Sequence, residues 1–574
     1  MPVHNADIAA IFEEIADLLE IEAANPFRIR AYRNAARVVA EQGREMRGLV
    51  EKGEDLTRLP AIGHDLALKI TEIVATGRCG FLDRLRQELP PAVTELLHIP
   101  GLGPKRVRAL FQELHVQTLA DLLEAARQGR IRHLHGFGEI TEQHILHAVE
   151  ARTTKKKRFR AAVARQYAEA LAAYLAASPL VARVEIAGSF RRRKETVGDI
   201  DLLAVATHGA AVTARFTAYD EVAEALSTGD TRASARLRCG LQVDLRVVPT
   251  ESFGAALHYL TGSKAHNIAV RRLAQEQGLK INEYGVFRGK QRVAGETEEA
   301  LYAAVGLPYI PPELREDQGE IEAARAGRLP RLVERADLRG DLHCHTRASD
   351  GRHGLREMAE AARQLGLSYL AITDHASRSG VLHSLDPGAV LRQMDEIDRL
   401  NAELTGIVLL KGAEVEILED GSLDLPDTVL ERLDIVIGAV HSHFTLPRAK
   451  QTARVLKALD HPSISLLAHP SARLLGEREP IDVDMARIIR HAGERGCFLE
   501  LDSQPARLDL DDRHCRMAKA EGVLVSVDSD AHSREDFANL GHGIGQARRG
   551  WLEKDDVLNT RSLVELRKLL AKTR

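Results

Sequence analysis

The chain has 574 residues, of which 44% are hydrophobic and 28% charged, and this composition excludes a disordered or fibrous protein. Its formal net charge of −4 excludes a uniformly basic protein, and no apolar run approaches the roughly eighteen residues that a membrane helix needs. Five scattered cysteines without CxxC spacing indicate reduced thiols, so we expect roughly three to five domains in a cytoplasmic protein that has no membrane partner.

The first 150 residues show helical periodicity interrupted by glycine and proline, and three segments repeat one design. Each places a glycine-rich turn before a helix: LPAIGHDLALKI (59–70), IPGLGPKRVRAL (99–110) and LHGFGEITEQHI (134–145). Glycine lets the turn backbone approach a ligand closely, and the helix start offers free N–H groups to an anion. The design predicts helix-hairpin-helix motifs that bind DNA phosphates, with plain helix–helix turns as the alternative.

The second turn is followed directly by two basic side chains, which favours contact with DNA. Its glycines and these basic residues are the predicted phosphate contacts: Gly101, Gly103, Lys105 and Arg106. Lys69, on the helix after the first turn, is a further predicted DNA contact. An alternative role for its amine is Schiff-base formation with an abasic sugar, which requires the uncharged form.

The segment GSFRRRKETVGDIDLL (188–203) carries the first candidate catalytic residues. Asp199 and Asp201 lie two residues apart in an apolar run, so a strand would direct both carboxylates to one face. Clustered carboxylates are costly without a cation, and Mg²⁺ prefers oxygen ligands. Asp244, in the strand-like run LQVDLRVVP, adds a third acid. The pattern predicts a nucleotidyltransferase palm, with a solvated strand end as the alternative reading of the Asp-x-Asp pair.

The turn before these aspartates is suited to phosphate. Gly188 and Ser189 bring backbone N–H groups close to phosphate oxygens, and the basic run 191–194 supplies charge nearby. Residues 151–200 contain 12 basic and 4 acidic side chains, a local patch able to hold phosphates.

Beyond Asp244, the segments YLTGSKAHNIAVRRL (259–273) and INEYGVF (281–287) complete a pattern. Together with the palm segments they resemble the X-family DNA polymerases, over roughly residues 1–315. The resemblance implies that Asp199 and Asp201 hold both of two Mg²⁺ ions, and that Asp244 holds the ion nearer the primer 3′-OH.

The resemblance also implies the nucleotide site. Ser189 and Arg192 would contact the triphosphate, and Tyr259 and Gly262 would line the sugar pocket. Arg271 would touch the template side of the DNA.

Two positions depart from the family pattern near the incoming nucleotide. Leu260 replaces the usual aromatic residue beside the sugar, which bears on sugar discrimination. Lys264 stands where animal members usually carry an acid next to the incoming base, and we assign it to nucleotide binding.

Residues 337–574 alternate short apolar runs with helical stretches, which predicts a parallel barrel of βα units. Chemistry in such barrels collects at the carboxyl ends of the strands. There the sequence places residue types that suit Zn²⁺ or Mn²⁺: His343, His345, Asp350, His375, Glu414, His441, His469, Asp530 and His532. This region contains thirteen histidines, and the seven that are not among these ligands could have purely structural roles.

The segments DLHCHTRASDG, AITDHA, GAEVEI, VHSH, LAHP and SDAH resemble the PHP domain, named for polymerase and histidinol phosphatase. The resemblance implies three ions. One would be held by His343, His345, Glu414 and Asp530, the second by Glu414, His441 and His469, and the third by Asp350, His375 and His532. All nine positions are filled, so we expect an active phosphoesterase.

Together these features resemble the bacterial X-family polymerases of base excision repair, which have a polymerase beta-like core and a C-terminal PHP domain. The predicted fold is multidomain α+β and α/β, with a helix-hairpin-helix region, a nucleotidyltransferase palm with thumb, and a distorted (β/α) barrel of PHP type. The predicted domains are an N-terminal helical DNA-binding domain (1–85), a fingers-like helical domain (86–150), the palm (151–250), the thumb (251–315), a linker (316–336) and the PHP domain (337–574).

The predicted function is a monomeric, nucleoid-associated DNA polymerase that uses dNTPs on gapped or primer-template DNA. Its PHP domain would supply Mn²⁺-dependent 3′–5′ exonuclease and abasic-site endonuclease activities. One alternative is a PHP phosphatase of small phosphate monoesters with a DNA-tethering front half. The other is a DNA-binding scaffold without catalysis.

Overall fold

The structure is a computed structural model and describes residues 3–22, 24–42, 45–88, 96, 99, 102–134, 136–139, 141–143, 145–146, 149, 158–378 and 384–571. The chain divides into two compact units. The first comprises Met1–Phe159, Ala218–Glu224 and Arg236–Leu241, and the second comprises Arg160–Thr217, Ala225–Ala235 and Gln242–Arg574. Within the described part of the chain, no helix has the length and apolar composition needed to cross a bilayer.

The N-terminal part of the first unit is helical, as the periodicity of the first 150 residues predicts. Among its described residues, the α-helices include Asn5–Ile21, Pro26–Glu41, Met46–Glu51, His64–Thr76, Gly80–Glu88, Pro104–Leu114 and Leu119–Arg127, with 3₁₀ turns at Leu56–Arg58 and Ile131–His133. Apolar residues at helical spacing form its core, for example the fully buried Ile8, Phe12 and Ile15. Gly63 and Gly103 each immediately precede a helix, which confirms the turn-then-helix design for the first two segments. The third segment includes positions outside the described residues.

The palm is built on a mixed five-stranded sheet. In spatial order its strands are Arg183–Ile186, Asp199–Val205, Gln242–Val248, Arg232–Leu237 and Val222–Thr228. Its helices are Ala161–Ala176, Gly188–Arg191 and Gly209–Thr217, and a two-stranded pair joins Phe159–Arg160 to Thr196–Val197. The second and third strands run parallel, which brings the two acid-bearing strands side by side.

The thumb follows directly. Its helices are Phe253–Thr261, Lys264–Glu276 and Glu298–Ala304, and its antiparallel strands are Lys280–Asn282, Gly285–Arg288 and Gln291–Ala294. The predicted linker 316–336 is not an extended spacer, since it forms the helix Glu320–Arg325 and packs Ile321, Ala324 and Leu332 into the thumb's hydrophobic core.

The remaining residues form a nearly closed barrel of parallel strands, as predicted. Its strands are Gly340–Asp341, Tyr369–Ile372, His375–Ala376, Val408–Glu416, Ile435–Ala439, Leu466–Leu467, Phe498–Asp502 and Val525–Asp528. Its α-helices are Leu355–Gln364, Pro387–Glu403, Asp427–Leu430, Arg448–Leu459, Met485–Arg495, Asp512–Ala520, Leu540–Arg549 and Leu563–Leu570. A parallel bridge between Cys344 and Ala531 joins the first part of the barrel to the last.

Two candidate metal centres

The three palm aspartates lie on neighbouring parallel strands. Asp201 is directly paired with Asp244, and Asp199 lies two residues before Asp201 on the same strand. Side chains that pair across parallel strands, or that lie two apart on one strand, point to the same face. The register therefore directs all three carboxylates to one face of the sheet.

The Asp201 carboxyl has a strongly shifted pKa. Burial, followed by the negative charges of Asp199 and Asp244, raises the pKa of the Asp201 carboxyl to about 7. Gly188 rests against it with a φ of 64°, and a Cβ at this glycine would lie 2.1 Å from Asp201 Oδ2. Only glycine allows the turn to approach the carboxylate this closely. Paired carboxylates beside an open turn are a donor set that fits Mg²⁺.

Asp244 has hydrogen-bond partners of its own within the palm. Ser234 Oγ donates a hydrogen bond to Asp244 Oδ1, and Gln242 Nε2 donates one to Asp244 Oδ2 at 3.0 Å. These contacts hold Asp244 in its own position. In the described ranges, the groups whose potential ligand atoms lie within 4.8 Å of one another are all in the barrel domain.

The predicted triphosphate residues lie on the turn beside these acids. Ser189 lies in the short helix Gly188–Arg191 and is half-buried. Arg192 caps this helix; its Nε donates to Glu316 Oε1 at 3.0 Å and its Nη1 to the carbonyl of Thr261 at 2.6 Å. The guanidinium is thus held in a defined place between palm and thumb.

The predicted sugar and template residues lie on or at the ends of the first two thumb helices, Phe253–Thr261 and Lys264–Glu276. The guanidinium carbons of Arg246 and Arg271 lie 5.7 and 5.3 Å from the centre of the Tyr259 ring. Gly262 ends the first helix, and the exposed Lys264 begins the second. These positions stay predictions as nucleotide contacts.

The barrel domain gathers its candidate ligands at the carboxyl ends of its strands. Three groups have ligand atoms within 4.8 Å of one another: His345, Asp350, His375 and His532; His343, His345 and Asp530; and His375, Glu414 and His441. The imidazole nitrogens His343 Nε2 and His345 Nε2 lie 3.1 Å apart, and His345 Nδ1 is buried without a hydrogen-bond partner among the described residues. Facing imidazoles with such an orphaned nitrogen fit a site for Zn²⁺ or Mn²⁺.

Glu414 lies at the centre of this cluster. His469 Nε2 is 3.0 Å from its Oε1, and His375 Nδ1 is 2.9 Å from its Oε2. Burial alone would raise its pKa, but the surrounding histidines His375, His441 and His343 hold the pKa of this carboxyl well below its usual range. The Glu414 carboxylate is therefore anionic and contacts several of the candidate histidine ligands.

The grouping differs in detail from the partition that the resemblance implied. His375 is close to Asp350 and His532 as expected, but it also joins Glu414 and His441. His469 contacts Glu414 without belonging to a group of three described ligands. The assignment of individual ions to these ligands stays a prediction.

Sequence reasoning missed the carboxylates that orient the histidines from behind. Glu500 Oε1 lies 2.6 Å from His343 Nδ1, and Glu416 Oε2 lies 3.0 Å from His441 Nδ1. Such partners fix the ring orientation and raise the basicity of the ligand nitrogen. A signal was present, because Glu500 and Asp502 alternate in the apolar run GCFLELDS just as the palm acids do.

Two of the predicted DNA contacts in the first unit already have partners within the protein. Lys69 Nζ forms an ion pair with Asp65 Oδ1 at 2.5 Å, and Arg106 Nη2 donates to the carbonyl of Gly136 at 3.0 Å. Gly103 precedes the helix Pro104–Leu114, which contains Lys105, and Gly101 lies outside the described residues. Arg106 thus joins the second turn to the third, whatever its role toward DNA.

Four family models match successive parts of the chain. They describe a helix-hairpin-helix domain (3–79), a SAM-like helix-hairpin-helix tandem (93–152), a DNA polymerase beta thumb (256–316) and a PHP domain (341–504). These matches confirm the predicted helix-hairpin-helix, thumb and PHP parts.

Curated relatives match either nearly the whole chain or about a third of it. A Bacillus subtilis (strain 168) protein named DNA polymerase/3′-5′ exonuclease PolX is 36% identical over 575 residues, covering 99% of both chains. A Thermoanaerobacter sp. (strain X514) protein named as a probable phosphatase is 29% identical over 38% of this chain and 89% of its own length. A probable phosphatase of Acetivibrio thermocellus is 31% identical over 33% of this chain and 78% of its own length.

Proposed function

The chain belongs to the family of the DNA polymerase/3′-5′ exonuclease PolX, and we propose that it fills short gaps in DNA during base excision repair and trims 3′ ends. It is a DNA polymerase with 3′–5′ exonuclease activity. The substrates we propose are gapped or primer-template DNA and dNTPs, handled in the cytoplasm. The observation that supports two activities is the presence of two chemically different ligand sets, which are the three carboxylates on one face of the palm sheet and the histidine-rich groups of the barrel.

The palm performs nucleotide addition in this proposal. Two Mg²⁺ ions held by Asp199, Asp201 and Asp244 would activate the primer 3′-hydroxyl and neutralise the departing pyrophosphate. Arg192, fixed by Glu316 and the Thr261 carbonyl, is positioned to bind the triphosphate. Its planar guanidinium can bind two phosphate oxygens at once.

The barrel performs phosphodiester hydrolysis. Three Mn²⁺ or Zn²⁺ ions held by its histidines and acids would polarise the scissile phosphate and lower the pKa of a bound water. Glu414 keeps the surrounding histidines together through its anionic carboxylate. Glu500 and Glu416 fix the orientation of His343 and His441 from behind.

The deciding experiment uses a 5′-labelled gapped duplex with Mg²⁺ or Mn²⁺, with and without dNTPs. The Asp199→Ala/Asp201→Ala variant should lose primer extension and keep 3′ shortening. Glu414→Ala should lose 3′ shortening and keep extension, while Glu419→Ala, an exposed acid outside the ligand groups, should keep both.

Two results would contradict these assignments. Wild-type extension by the palm variant would remove the polymerase role from the aspartates. Loss of nuclease activity in the palm variant with retention in Glu414→Ala would place degradation in the palm, because pyrophosphorolysis there also shortens primers.

A second candidate activity is hydrolysis of small phosphate monoesters, which the similarity of about a third of this chain to the probable phosphatases favours. A monoester such as p-nitrophenyl phosphate, tested beside labelled DNA, separates the two. Faster turnover of the monoester, with no 3′ shortening of DNA, would favour this candidate. An abasic-site duplex in the same assay tests the proposed endonuclease activity. Borohydride trapping on that duplex tests whether Lys69 forms a Schiff base with the abasic sugar.

A further inference from the structure

The palm turn that carries Arg192 is bonded to the barrel domain of the same compact unit. Arg549, the last residue of the barrel helix Leu540–Arg549, donates from Nη1 to the carbonyl of Arg192 at 2.9 Å. Glu195 lies three residues after Arg192, and its Oε2 forms an ion pair with Nη2 of the barrel residue Arg473 at 2.7 Å. The barrel thus holds the turn at both of its ends.

A single carboxylate joins the two arginines. Glu316 Oε1 accepts from Arg192 Nε at 3.0 Å and from Arg549 Nη1 at 3.0 Å. Burial alone would raise the pKa of Glu316, but Arg192, Arg549 and Lys194 hold it below its usual range. This carboxylate is therefore negatively charged at neutral pH, and it attracts the guanidinium from the palm and that from the barrel.

The contact is buried and closely packed. The side chain of Arg549 is only 3% exposed, and its Nη2 is hydrogen-bonded to Asp512 Oδ2. Gly545, one turn earlier on the same helix, lies against Arg193, where a Cβ would already be 3.4 Å from the Arg193 side chain. A buried guanidinium with three fixed acceptors has few alternative positions.

We propose that Arg549 is a positioning residue for nucleotide addition, although it lies in the domain assigned to hydrolysis. It fixes the backbone of Arg192 directly and the guanidinium of Arg192 through Glu316. The proposal rests on the proposed function, since it requires that Arg192 binds the dNTP triphosphate. A displacement of about 1 Å in a substrate-positioning group can cost roughly a hundredfold in rate, so a small shift of this turn should be measurable.

The test compares Arg549→Met with Arg548→Met in the full-length protein. Arg548 is the matched control, because it lies on the same helix and donates to Glu313 Oε1 at 2.7 Å and to the Val333 carbonyl at 3.3 Å. Within the described part of the chain, it forms no hydrogen bond or ion pair with Arg192. Single-nucleotide addition on a gapped duplex gives KM for the dNTP and kcat, and 3′ shortening reports whether the barrel is intact.

We expect Arg549→Met to raise the dNTP KM about tenfold with a smaller change in kcat, and Arg548→Met to change it less than about twofold. Exonuclease activity should be preserved in both. Arg549→Lys should recover part of the loss, since one ammonium can still reach one of the acceptors. An equal KM in the Met variants would overturn the proposal.

Glu316→Gln is the second variant, for the case in which Arg549→Met loses both activities through misfolding. It keeps the shape of the carboxylate but removes its charge, and its dNTP KM should rise by a similar factor. An unchanged KM in Glu316→Gln would then overturn the proposal. If Asp199→Ala/Asp201→Ala still extends primers, the proposed function itself is wrong, which is a different result from any of these.

Discussion

His343 has a different partner at each of its ring nitrogens. Its Nε2 lies 3.1 Å from His345 Nε2 on the ligand side, and its Nδ1 lies 2.6 Å from Glu500 on the other. Glu500 also accepts the backbone N–H of His469 through Oε2, at 2.6 Å. One buried carboxylate therefore orients the ring of His343 and holds the backbone of His469, and its removal should weaken metal binding without removing any ligand.

We predict that Glu500→Gln lowers the Mn²⁺ affinity of the barrel by about 10- to 100-fold, the range typical of such outer partners. Manganese titration followed by electron paramagnetic resonance measures this affinity, and 3′ shortening should recover at high Mn²⁺. Primer extension should not change. Glu419→Gln is the control, since Glu419 lies 3.8 Å from His443, a histidine outside the ligand groups. Equal affinities in the two variants would show that Glu500 has no such role.

At the scale of elements, patterns of apolar residues predicted the strands well, but they did not reveal an element that is held by buried polar side chains. The strand Val408–Glu416 and its neighbours follow from apolar runs, and so do the two palm strands that carry Asp201 and Asp244. The helix Glu320–Arg325 could not be predicted in the same way. It is held partly by the 2.6 Å hydrogen bond between His266 Nδ1 and the fully buried Glu320, and polar contacts of this kind leave no trace in hydrophobic periodicity.

The helix-hairpin-helix turns give an element-scale prediction on DNA binding. Lys105→Ala should weaken binding to gapped DNA and reduce the slope of log K against log salt by about 0.9, the value expected for one lost phosphate contact. Affinities measured by fluorescence anisotropy at several salt concentrations give this slope. Arg130→Ala, an exposed basic position outside the turns, should leave it unchanged. Equal slopes in the two variants would show that the second hairpin is only a structural turn and does not contact phosphate.

The start of the first helix gives a prediction on pH. His4 Nε2 lies 3.0 Å from Glu221 Oε1. Burial opposes protonation of His4, but hydrogen bonds and charge from Glu221 and Glu45 raise its pKa from 6.5 to about 10. Because the folded pKa is the higher one, the stabilisation is complete below pH 6.5 and is lost as the pH rises from 6.5 to about 10.

His4→Gln should therefore destabilise the first unit by about 1.5–3 kcal/mol at pH 6, the range for a hydrogen bond to a charged group, and by much less at pH 10. Pulse proteolysis in urea, with fragments identified from the N-terminus, measures this local stability in the full-length protein. A difference between variant and wild type that does not depend on pH would contradict the ion pair.

In the proposed assignment one chain carries two opposing activities, because the palm lengthens a 3′ end and the barrel shortens it. The two sites differ in ligand type. The palm offers three carboxylates, whereas the barrel offers six imidazoles and three carboxylates. Mg²⁺ favours oxygen ligands, imidazoles suit Zn²⁺, and Mn²⁺ accepts a mixture of carboxylates and imidazoles more readily than Mg²⁺ does, so the metal supplied should decide which activity dominates.

We predict that metal removal separates the two activities. After chelation and dialysis, Mg²⁺ alone should restore primer extension but leave 3′ shortening at least about tenfold below the rate with Mn²⁺, because nitrogen-rich sites bind Mg²⁺ weakly. Mn²⁺ should restore both activities. Glu414→Ala should extend primers with either metal and shorten them with neither, whereas Asp199→Ala/Asp201→Ala should shorten them with Mn²⁺ and extend them with neither. Equal recovery of both activities by Mg²⁺ in the wild type would contradict this assignment, since it would mean that the imidazole-rich cluster does not select its metal by ligand chemistry.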